Sequence, residues 1–146
     1  MRLQDLDRAV QIASGNPNLW RQRGRAKLFW GVARQNWGGE VATLFRGAIA
    51  DFDEGLRLRA GSALNRLDRG SALVNLALRA EGRGEDPVPL LEEALRDLDS
   101  VHRAFPGNGD LPLLRGQARA NLASRRARAG DAAGAARLFG EALADL

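Results

Sequence analysis

The residues best placed to do chemistry are arginines and aspartates that recur at fixed spacing. Arg23, Arg69 and Arg115 each precede a glycine and lie 46 residues apart. Asp51 and Asp97 repeat at the same interval, and Asp145 follows 48 residues after Asp97. A guanidinium fork matches a carboxylate in two parallel hydrogen bonds, so such pairs serve an anion or metal site or clamp two helices together. Recurrence in step with the chain favours the clamp, with expected pairs Arg23–Asp51, Arg69–Asp97 and Arg115–Asp145. The aspartates also occur as Asp-x-Asp, in Asp5/Asp7, Asp51/Asp53 and Asp97/Asp99. Two residues apart on a helix point to different faces, so each doublet is expected to turn one carboxylate inward and one to solvent rather than to converge on a metal.

The other candidates are weaker. His102 is the only histidine and the chain has no cysteine, so a thiolate or histidine-rich metal centre is excluded, as are disulfides. His102 has no nucleophile or orienting partner in view and is read as a half-buried helix residue. Gly82-x-Gly84 and Gly107-x-Gly109 follow no strand and precede no Gly-Lys-Ser/Thr, so they read as loops rather than phosphate cradles. With no catalytic constellation and no cofactor motif, the chain reads as non-enzymatic, with no metal and no cofactor.

The elements that must hold these residues follow from the 46-residue period. Arg-Gly-x-Ala occurs at Arg23, Arg69 and Arg115, and an Ala-x-x-Asp-(Phe/Leu) block begins at Ala48, Ala94 and Ala142. Gly15, Gly61 and Gly107 punctuate the same period, each followed by Asn or Ser. Glycine there suits a left-handed helix end, and the next residue suits a helix N-cap. Apolar residues at steps of three and four, such as Leu91, Leu95, Leu98 and Val101, indicate helices. The spacing predicts seven helices, at about 2–13, 17–35, 40–60, 62–81, 87–104, 111–129 and from 131 onward. They form one domain, with a partial unit at 1–15 and units at 16–61, 62–107 and 108–146. Each helix pair has one apolar face it cannot bury alone, so the pairs stack into an all-α superhelical solenoid of antiparallel helices.

The pattern resembles the tetratricopeptide repeat. Gly24, Ala26, Ala48, Phe52 and Gly55 occupy that family's small and aromatic positions; Gly70, Ala72, Ala94, Leu98 and Val101 do so in the second unit. Gly116, Ala118, Ala142 and Leu146 form a partial third, and Trp20 and Pro106 match an early tryptophan and a closing proline. The units here are longer than the usual repeat of about 34 residues, with the extra length assigned to the hairpin tips. The resemblance implies that the first helix of each pair lines a concave face that binds a peptide or helix. It places Arg25, Leu28, Phe29, Ser71, Val74, Asn75, Gln117 and Asn121 there. The family's Lys and Asn clamp for a terminal carboxylate is not reproduced.

Composition bounds the partners. The net charge is +4, from 22 basic and 18 acidic residues interspersed along the chain. That argues against nucleic acid, although an anionic ligand or RNA on the arginine-rich face stays an alternative. No apolar run is long enough to span a bilayer, and the opening residues lack a signal-peptide pattern, so cytoplasm is the expected location. Trp20 and Phe29 are expected in the core, while Trp37, beside Gly38-Gly39 at a hairpin tip, is a candidate surface anchor. Open solenoid ends make self-assembly through a second copy a further alternative.

Overall fold

The computed structural model describes residues 2–34 and 40–146. Trp37 lies outside the described residues. The rest is helical: α1 (Leu3–Ile12), α2 (Pro17–Ala33), α3 (Val41–Leu58), α4 (Ala63–Ala80), a 3-10 turn (Glu81–Arg83), α5 (Val88–Ala104), α6 (Leu111–Arg128) and α7 (Ala132–Asp145). No strand occurs among the described residues.

Local chemistry sets the ends. Asn16 accepts the Asn18 backbone N–H at 3.0 Å, Ser62 accepts that of Asn65 at 3.3 Å and Asp131 accepts that of Gly134 at 2.8 Å. Each satisfies a donor that the first helical turn leaves free. The punctuating glycines behave differently from expectation. Among the described residues only Gly84 (φ 71°) and Gly130 (φ 86°) adopt the left-handed conformation, and both sit at hairpin tips. Gly15, Gly61 and Gly107 instead lie inside tight turns closed by Asn16 N–H to Ala13, Ser62 N–H to Arg59 and Asn108 N–H to Phe105, at 3.0 to 3.2 Å. A turn of that kind needs a small residue but no positive φ.

Successive helices run antiparallel and pack on one another. In the first pair Gly24 faces Phe52 and Gly31 faces Phe45, so ascending positions on α2 meet descending positions on α3. A Cβ on Gly24 would lie 2.6 Å from Phe52, and one on Gly31 would lie 2.5 Å from Phe45. Glycine is there because an aromatic ring occupies the space. In the second pair Gly70 meets Leu98 in the same way, at 2.8 Å. Phe45, Ala48, Phe52, Ala94 and Leu98 are all fully buried.

The largest core cluster joins α4, α5, α6 and α7, from Leu73 and Ala77 through Leu91 and Ala94 to Leu122 and Leu138. Burying side chains of this size is worth roughly 1.5–3 kcal/mol each, and each hairpin obtains that burial from its neighbour. The A helices α2, α4 and α6 touch in succession, α2 with α4 and α4 with α6, whereas among the described residues α3, α5 and α7 do not touch one another. Helices that approach more closely lie inside the curve, so α2, α4 and α6 line the concave side of the solenoid.

Candidate interaction surface

The polar framework is built first, because it fixes the surface. Arg23 donates Nε and Nη2 to the two oxygens of Asp51 at 3.0 and 2.7 Å. Arg69 does the same to Asp97 at 2.7 and 2.8 Å. Arg115 reaches Asp145 at 3.2 Å. These are links between the two helices of one hairpin. Each arginine also donates to the preceding unit: Arg23 to Asp7 at 3.0 Å, Arg69 to Asp53 at 2.6 Å and Arg115 to Asp99 at 3.0 Å. The second aspartate of each Asp-x-Asp doublet is therefore not simply a solvent-facing group. It ties its helix to the next unit.

Burial sharpens this clamp. Asp51 and Asp97 are 2% and 4% exposed, so each would carry a heavy desolvation penalty without its arginine. The Asp97 carboxylate, through its hydrogen bonds, raises the Arg69 guanidinium well above its ordinary value, and Asp51 raises Arg23. The arginines stay charged at any accessible pH. Unit one adds Lys27, 2.8 Å from Asp51, and unit three adds Arg119, 2.6 Å from Asp145. In unit two the corresponding residue is Leu73, buried in the core.

The concave face is a different environment. Residues one, five and eight past each helix-A glycine form its outward stripe: Arg25, Phe29 and Val32, then Ser71, Asn75 and Leu78, then Gln117, Asn121 and Ser124. Phe29 is 66% exposed, so it belongs to this surface and not to the core expected for it. Trp20 is half-buried, its indole N–H donating to the Ser14 carbonyl at 2.7 Å with Arg23 stacked 5.0 Å from its ring. Leu28 is half-buried against the Phe45 and Phe52 clusters. Val74 leaves the set: at 1% exposed it packs with Leu73, Ala77 and Leu91, because α4 is enclosed by α3, α5 and α6.

Asn75 and Asn121 are on the stripe, but one N–H of each amide is already used. Each donates Nδ2 to the carbonyl four residues back, Ser71 or Gln117, at 2.8 Å. The Ser124 hydroxyl donates to Ala120 at 3.1 Å in the same manner. What remains for a partner is the acceptor oxygen and the second amide N–H of each asparagine. Sequence reasoning missed Val32 and Leu78, which are 40% and 43% exposed; the signal was their place seven residues after Arg25 and Ser71, on the same helical face.

Across this face Arg21 of α2 holds Asp68 of α4 at 2.7 Å, with Arg25 at 3.9 Å. Burial nevertheless pushes the Asp68 carboxyl above its ordinary value, outweighing the arginines. Beyond it, Glu81 bridges Arg125 and Arg128 of α6, which together hold its carboxyl below the ordinary value. No group of three or more metal-ligating side chains occurs among the described residues, and no helix there is long and apolar enough to cross a membrane. His102 is a half-buried residue of α5.

No protein-family model matches this sequence, and no curated protein matches it.

Proposed function

We propose that this chain is a non-enzymatic interaction module of the tetratricopeptide-like type, which binds an extended peptide along the concave face of α2, α4 and α6. The observation that carries this reading is the outward stripe. One end exposes Phe29, Val32 and Leu78 beside Arg25; the other is polar and uncharged, with Gln117, Asn121 and Ser124. Asn75 and Asn121 present acceptor oxygens at a one-repeat spacing. A backbone with free N–H donors and bulky apolar side chains toward one end meets both demands. A folded partner without free donors would leave those oxygens unpaired as water is excluded.

The test is a peptide-library selection against the intact chain, followed by affinity measurement on Phe29→Ala and Asn75→Ala. Phe29→Ala is expected to weaken selected peptides about tenfold or more, the loss of an exposed aromatic anchor. Arg96→Ala, on the exposed side of α5, is expected to leave them unchanged. Failure to enrich any peptide, or peptides indifferent to both concave-face substitutions, would overturn the reading.

A further inference from the structure

The two ends of the stack expose the two halves of a single interface. Within the stack, Ile49 of α3 and Leu95 of α5 face the following hairpin and are half-buried against the central core. The matching residue of α7, Leu143, is 74% exposed, and Phe139 and Leu146 beside it are 42% and 80% exposed. On the receiving side, Leu76 of α4 and Leu122 of α6 are 5% and 4% exposed, Leu76 lying beneath Val41, Ala42 and Phe45 of α3. Their counterpart in α2 is Trp30, 43% exposed, with Arg34 stacked 5.0 Å from its ring. Leu3, the first residue of α1, matches Ile49, and no described helix covers Trp30 as Val41 to Ala48 cover Leu76. An open cavity of about 530 Å³ occupies that place, lined by Arg2, Leu3, Asp5, Trp30, Arg34 and Leu44.

We propose that α7 of a second copy fills this cavity, so that the chain assembles head to tail. Residues Ala135 to Ala142 match Val41 to Ala48, the segment the cavity lacks. The end of α7 and the residue that caps it, Leu143-Ala144-Asp145-Leu146, match the first turn of α1, Leu3-Gln4-Asp5-Leu6, position for position. As α7 enters, Leu143 and Leu146 take the places of Leu3 and Leu6, and the first turn of α1 gives way. α1 is the shortest α-helix among the described residues and buries Leu6 and Val10. The occupant is a second copy because the cavity completes an interface the chain already forms twice, α3 on α4 and α5 on α6. Such a contact uses unlike surfaces and leaves each end open for another copy, so it extends rather than closes. It does not use the concave stripe.

The test is sedimentation velocity of the full chain from the micromolar range to about 1 mM, the weak limit of specific association. The wild type is expected to grow in mass with concentration. Leu143→Asp and Trp30→Asp, each checked for unchanged helicity by circular dichroism, are each expected to remain single chains. Mixed together, they are expected to form a pair and stop there, because the intact α7 of one docks on the intact α2 of the other. Leu143 is mostly exposed, so its variant reports on association even where a change at Trp30 disturbs the fold. A wild type that stays a single chain throughout would overturn the proposal. So would association that Leu143→Asp leaves intact, or a mixture of two folded variants that forms no pair.

Discussion

The second hairpin, α4–α5, and the third, α6–α7, share the Arg-Gly-x-Ala and Ala-x-x-Asp-Leu blocks, the latter displaced by two residues in the third, yet their environments differ. In the second, Arg69 binds Asp97 through two hydrogen bonds, and Leu91 and Leu98 are 1% and 0% exposed. In the third, Arg115 makes a longer contact to Asp145, and Arg119 supplies a second cation to it. Phe139 and Leu146, the counterparts of Leu91 and Leu98, are 42% and 80% exposed. Leu98 lies 2.8 Å from a Cβ built on Gly70, whereas Leu146 lies 3.4 Å from one built on Gly116. Burial at a given repeat position is thus decided by the following hairpin more than by the residue itself. A hairpin covered on both sides has a dry, tight interior; one covered on a single side keeps the polar clamp and leaves apolar side chains in water.

The strongest way to break this comparison is to remove the buried carboxylates. Asp97→Ala leaves Arg69 with Asp53 alone, a carboxylate half exposed to water. Stripping a partner from a buried pair costs about 3 to 5 kcal/mol. Asp145→Ala is expected to cost clearly less in denaturant unfolding, since Arg115 keeps Asp99 and Arg119 keeps both Asp99 and Glu141. Equal losses at the two sites would contradict the asymmetry.

Next in size are the glycines. Gly70→Ala forces its new methyl against the fully buried Leu98, and overpacking of this kind costs about 1 to 3 kcal/mol. Gly116→Ala meets only contacts at 3.4 Å, so the gain of helix propensity, up to about 1 kcal/mol, prevails and raises the melting temperature. Opposite signs in thermal melts are expected, and a destabilised Gly116→Ala would show the third hairpin to be as tight as the second.

The smallest effect is a pH slope. Asp68 has a folded value raised by burial, so the folded chain holds its proton more readily than the unfolded one. The stability this group contributes is full below its unfolded value and lost as pH rises through its folded value. Between about pH 3 and pH 6, Asp68→Asn is therefore expected to gain more stability than wild type. Parallel stability curves for the two would remove burial as the dominant influence on Asp68.

Much of this architecture was legible in the residues. Arg-Gly-x-Ala and the Asn, Ser and Asp caps are short-range signals, so the helix at 62–81 was expected within a residue of the observed Ala63–Ala80. The hairpin pairs Arg23–Asp51 and Arg69–Asp97 were legible because they repeat inside one unit. The links Arg23–Asp7 and Arg69–Asp53 were not, because they depend on how one hairpin is rotated over the next, which a period does not encode. Val74 was misplaced for the same reason: a helix enclosed on three sides buries a wider arc than a two-helix hairpin implies. The turn glycines misled because a tight turn and a left-handed cap both favour glycine. Of the concave face, the one-repeat spacing of Asn75 and Asn121 was legible, but the exposure of Phe29 and the spending of one asparagine N–H each on Ser71 and Gln117 required coordinates.

The most direct measurement is native-state hydrogen exchange, resolved helix by helix, in dilute solution where copies do not associate. The account predicts that the amides of α4 and α5 exchange only through global unfolding, while those of α7 open at clearly lower free energy because one face of that helix has no neighbour. Protection of α7 equal to that of α5 in single chains would contradict the claim that each hairpin is completed by the next.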